Sequence, residues 1–105
     1  MEQPNMSYIH SMSGGDKVFE QKLIDIIKCE FPEEKAVFYS NLELEDYQKA
    51  ADNVHKLKHK ILILGLEKSY HTAVAFEEKL REGDVNLKAE FEAILITITN
   101  YLKTL

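Results

Sequence analysis

The chain has 105 residues, 45% of them hydrophobic and 30% charged, with a formal net charge of −5. Surface-to-mass scaling gives about 6,000 Å² folded against about 17,500 Å² extended, so the length carries one domain with one core and excludes a second. The balance of hydrophobic and charged residues argues against a disordered chain, and the negative charge against a nucleic-acid partner, which needs a cationic field.

With two prolines and four glycines the chain marks few turns, which favours helices over a small all-β fold. Gly14, Gly15, Pro32, Gly65 and Gly83 divide it into helix-length segments. Residues 1–6 are expected to be flexible, and 7–13 to form a short helix across one end of the fold. From Asp16, placed as an N-cap, Phe19, Leu23, Ile26, Ile27 and Phe31 follow the spacing of one buried stripe. Pro32 is expected to stop that helix or to begin a shorter one over 33–41 that uses Ala36, Val37, Phe38 and Tyr39 for contacts.

Over 43–64, Tyr47, Ala51, Val54, Leu57, Ile61 and Leu64 recur at steps of four and three, and Gly65 is suited to end the helix in the left-handed conformation. A helix over 67–82 turns Leu66, Tyr70, Ala73, Phe76 and Leu80 inward and stops at Gly83. The last, from 85 onward, carries Leu87, Phe91, Ile94, Ile98, Tyr101 or Leu102, and Leu105 in a seam. Four substantial amphipathic helices with short connections predict an all-α fold, an antiparallel four-helix bundle with an additional short N-terminal helix, as one domain over 1–105.

Cys29, the only cysteine, forbids an internal disulfide and a cysteine-based zinc site, and reads as ordinary packing in a reducing compartment. No cationic start followed by an apolar run opens the chain, and apolar runs such as 61–64 fall far short of a membrane span. A soluble, cytoplasmic protein without membrane insertion is expected.

Four histidines are present: His10, His55, His59 and His71. His55 and His59 are one helical turn apart and alternate with Lys56, Lys58 and Lys60 in the one basic cluster of an acidic chain. Leu57 and Ile61 take the buried side, so His55 faces solvent and Lys58, near the boundary, leads its charge outward along its aliphatic stem. Such a face is either an ordinary solvated surface or a site. The pair also has the spacing of two zinc ligands on one helix, although no third ligand is identified. Glu77 lies near the inward stripe of its helix, where a carboxylate needs a partner. A structural role is favoured for it over acceptance of a hydrogen bond from His55 Nδ1.

The segment His55-Lys56-Leu57-Lys58, with Gly65 ten residues after His55 and the Phe76-Glu77 pair on the next helix, resembles the histidine-containing phosphotransfer (HPt) domains of two-component phosphorelays. Ser13-Gly14-Gly15-Asp16, Phe31-Pro32 and Glu45-Asp46-Tyr47 agree with the same family, so the resemblance runs from about residue 7 to 105. It implies that His55 accepts a phosphoryl group from a receiver-domain aspartate and passes it to another, with no autonomous catalysis. Neutral imidazole is a competent nucleophile near pH 7. The implied partners are response-regulator receiver domains and a hybrid sensor histidine kinase. No cofactor or metal of the domain's own is implied, since the receiver supplies Mg²⁺ and a lysine. Lys58 would offset the phosphoryl charge, and Lys56 and Lys60 would steer an acidic receiver pocket.

His59 stands where many members carry a small residue, and it would crowd docking or hydrogen-bond the phosphoryl oxygens. A silent interaction bundle of the same fold, and a bundle binding metal through His55 and His59, are the alternatives. The Met1 start and short termini favour a free-standing protein.

Overall fold

In the computed structural model, which describes residues 2–105, every regular element among the described residues is a helix. The order is α1 (Ser7–Ser13), α2 (Lys17–Glu43), α3 (Tyr47–Ile63), α4 (Glu67–Arg81) and α5 (Lys88–Leu102). The protein is therefore all-α. Helix α3 packs against α2 and α4, α5 packs against α4 and α2, and α1 lies on α2. No helix among the described residues is long and apolar enough to cross a membrane.

Three phenylalanines from three helices hold the centre. Phe38 of α2, Phe76 of α4 and Phe91 of α5 are fully buried, with ring centroids 5.1 to 6.1 Å apart in edge-on or tilted contacts. Each such pair contributes about 0.5–1.5 kcal/mol beyond its buried area. The α3 stripe supplies the opposite wall: Ala51, Val54, Leu57, Ile61 and Leu64 are all buried, and Tyr47 is half-buried.

Helix α2 corrects the expected break at Pro32. The Asp16 N-cap forms, its Oδ1 accepting from the Val18 and Phe19 N–H groups at 3.0 and 3.1 Å, but the helix then runs unbroken through Pro32 to Glu43. Ile27 and Phe31 before the proline, and Phe38 and Leu42 after it, are buried on one stripe that stays in phase across it. Tertiary packing therefore holds both halves helical. Pro32 itself is exposed, so the N–H missing opposite the Lys28 carbonyl lies on the outward face, where water can replace it. Within the expected separate helix, Phe38 alone is fully buried, while Ala36 and Val37 face solvent.

Twenty-seven residues at 1.5 Å each make α2 about 40 Å long, which sets the 43 Å long axis of the molecule. Because α5 ends beside Phe31 and Pro32, α2 runs past it. Phe19 and Ile26, expected in the core, are consequently 44% and 51% exposed.

Glycines with positive φ mark three of the turns, and Glu45, with φ +57°, takes that place between α2 and α3. Gly65 has φ +82°, and a Cβ there would collide with the Asn5 side chain. Helix α3 begins at Tyr47 rather than at 43 because Glu43 ends α2, and α5 begins at Lys88 rather than at 85. Leu95 joins the core seam of α5, whereas Leu105 is exposed. Residues 2–6, expected to be flexible, are tied to the α3–α4 turn. The Glu2 carboxylate accepts from the Lys68 and Ser69 N–H groups at 2.9 Å, and the Asn5 N–H donates to the Leu64 carbonyl at 2.8 Å. Met1 lies outside the described residues.

Candidate functional site

At about 100° per residue, the buried stripe of α3 leaves His55, Lys56 and His59 outward and puts Lys58 and Lys60 on opposite flanks. Lys58 turns toward α4 and Lys60 toward α2, as their partners show. Asp46 caps the start of this helix, accepting from the Lys49 N–H at 3.1 Å. The imidazole of His55 is half-exposed, and its Nδ1 lies 3.2 and 3.3 Å from the two carboxylate oxygens of Glu77 on α4.

Glu77 is the hub of the arrangement. Its side chain is only 12% exposed, and besides His55 it meets the Lys58 ammonium at 2.9 Å and the Arg81 guanidinium at 3.1 Å. Burial pushes its carboxyl pKa up, but hydrogen bonds from Lys58 and Arg81, with the charges of Lys58 and His55, outweigh burial and hold it below the ordinary value. Arg81 reaches on to Asp52 at 3.1 Å and Gln48 at 3.4 Å, while Gln48 Nε2 donates to the Arg81 carbonyl at 2.9 Å. Hydrogen bonds to Glu77 and Asp52 hold this guanidinium still further toward its charged form. The α3–α4 seam beneath the histidine is thus pinned from both helices.

His59 is exposed on the next turn, its ring centroid 5.1 Å from that of His55 with the planes at 79°. Lys56 is also exposed and makes no ion pair among the described residues. A shallow depression of about 540 Å³ is lined by Asp52, His55, Lys56, Glu77 and Arg81. Lys60 is not part of this group. Its ammonium sits between Glu30 at 3.2 Å and Glu34 at 3.0 Å, with the side chain only 12% exposed. Its position suits a link between α2 and α3 rather than the steering expected for it.

Glu77 faces His55 Nδ1 and also ties α3 to α4 through Lys58. Arg81, Asp52 and Gln48 join the site without being expected from the sequence. The signal for Arg81 was its i, i+4 spacing from Glu77, and Gln48 and Asp52 share the same spacing. Among the described residues, no three His, Cys, Asp or Glu side chains converge on a metal-sized site, so His55 and His59 have no third donor. His10 pairs with Glu20 at 3.0 Å, His71 meets Tyr70 edge-on, and Cys29 is exposed.

Compared with protein-family models, curated proteins and solved structures, the chain matches none.

Proposed function

We propose that the chain is a histidine phosphotransfer module, an antiparallel four-helix bundle of α2 to α5, in which His55 carries a phosphoryl group between receiver-domain aspartates. The observation behind this reading is the Glu77 carboxylate on His55 Nδ1 beneath a half-exposed ring. An ionised carboxylate only accepts, so the contact favours a proton on Nδ1 and leaves the lone pair on Nε2. That lone pair forms a bond to phosphorus as the bond from phosphorus to the aspartyl oxygen breaks. The receiver carboxylate leaves with the electron pair, Nδ1 keeps its proton, and Glu77 balances the positive charge that the ring acquires. Transfer to a second receiver is the reverse of this step.

Phosphoryl transfer depends mainly on positioning and on charge stabilisation. Lys58 spends one of its three N–H donors on Glu77 and has others for phosphoryl oxygens. Exposed Lys56 suits the approach of an acidic receiver pocket. Receivers of this kind imply a cytoplasmic location, and the module needs no catalytic cleft of its own.

The His59 ring beside His55 favours a second reading, a bundle of the same kind that binds receivers without being phosphorylated. Incubation with a radiolabelled phosphoreceiver separates the two. The proposal expects an acid-labile, alkali-stable label that is lost in His55→Gln and kept in His59→Gln. Label that survives His55→Gln, or that never appears with any receiver from the same source, overturns it. Faster transfer in His59→Gly would identify the imidazole as an obstruction to docking, and slower transfer as a help.

A further inference from the structure

His55 and Glu77 occupy the seam between α3 and α4. On the other side, between α2 and α5, Phe31, Pro32 and Leu102 floor a cavity of about 320 Å³ whose walls are Lys28, Lys35, Thr99 and Lys103. That volume is at the small end of ligand pockets. No acidic side chain lines it, and among the described residues none of its three lysines is in an ion pair. In a chain of net charge −5, three unpaired cations around one apolar floor call for explanation.

The cavity has a fixed cation rather than only mobile ones. Lys35 Nζ donates to Thr99 Oγ1 at 2.8 Å and lies 5.8 Å from the centroid of the Phe31 ring. Thr99 in turn gives its own proton to the Leu95 carbonyl at 2.7 Å, which sets the hydroxyl as an acceptor toward the lysine. The ammonium is therefore held above the apolar floor with donors to spare. Lys28 and Lys103 stand exposed at the rim. At the end of α5, two of the last carbonyls have partners: Tyr101 accepts from the Thr104 N–H and hydroxyl, and Leu102 from the Leu105 N–H. A bound anion relieves the mutual repulsion of the three lysines, and an apolar body displaces water from Phe31 and Leu102.

We infer that this cavity binds a small carboxylate with an apolar body, a medium-chain fatty acid or a molecule of that chemistry. The inference rests on residues separate from His55 and stands or falls independently of the phosphotransfer reading.

The test is a titration of the isotopically labelled full chain with octanoate, followed by amide ¹H–¹⁵N spectra, with acetate and octylammonium as controls. The expected result is saturable shifts at Phe31, Lys35, Thr99, Leu102 and Lys103 with a Kd of about 1 mM or tighter, and none of these shifts with either control. The exposed double variant Lys28→Glu/Lys103→Glu should keep the folded spectrum and weaken octanoate at least about tenfold, while His55→Gln should bind as the parent does. Shifts that do not saturate, equal shifts with octylammonium or acetate, or unchanged affinity in the folded double variant would each overturn the inference.

Discussion

Replacing Glu77 by glutamine tests the hub of the site with almost no change in shape. The variant keeps an oxygen near His55 Nδ1 but loses the charge that Lys58 and Arg81 share. The Lys58 contact is 2.9 Å between side chains that are 14% and 12% exposed, and a hydrogen bond to a charged group in such a setting contributes about 1.5–3 kcal/mol. Arg81 is 40% exposed, so solvent reduces its share to about 0.3–0.5 kcal/mol. The expected loss is about 2–3.5 kcal/mol, or about 8–16 °C in Tm for a domain of this size. The folded pKa of Glu77 is depressed below its ordinary 4.5. Its contribution is therefore fully present above that value and is lost as pH falls through the folded pKa. Thermal unfolding followed by circular dichroism should show the full gap between parent and variant near pH 7 and a shrinking one in acid. Phosphotransfer should slow by about 10- to 100-fold, the loss of a charge-assisted hydrogen bond to the ring. A Tm gap under about 2 °C near pH 7, or one that widens on acidification, would refute the argument.

Three further substitutions probe the scaffold. Lys60→Ala leaves Glu34 without its cation and should destabilise by about 1–3 kcal/mol in urea titrations with transfer rates unchanged; a stable variant with slowed transfer would return Lys60 to the site. Gly65→Ala forces a Cβ into the left-handed region and against Asn5, and should lose about 1–2 kcal/mol, an argument that an unchanged urea midpoint would contradict. Asp16→Ala removes the acceptor for the Val18 and Phe19 N–H groups and should lower stability by about 1 kcal/mol; no loss in the same titration would mean that water caps α2 as well.

Helix existence and the α3 face were legible because their signals are local and strong: a regular stripe, an N-cap at Asp16 and a positive-φ glycine at position 65. What failed depended on neighbours. Pro32 carries a strong local signal to stop, yet Phe31 and Phe38 bury their rings on either side of it, and packing overrides propensity. Phe19 and Ile26 carry the right period but lie beyond the end of α5, which leaves them about half exposed. The site divides in the same way. The exposure of His55 follows from the stripe. The acid that grips it required knowing how α3 meets α4. Lys56 and Lys60 look equivalent in sequence, yet about 40° of helical rotation leaves one in solvent and gives the other to Glu30 and Glu34.

Under the proposed function, His55 becomes phosphorylated on the nitrogen opposite Glu77. Long-range ¹H–¹⁵N imidazole spectra of the protein after reaction with a phosphoreceiver measure this directly. One phosphoramidate is expected, on Nε2 of His55, with Nδ1 still protonated. Phosphate on Nδ1, phosphate on His59, or an unmodified His55 after the receiver has discharged would contradict it.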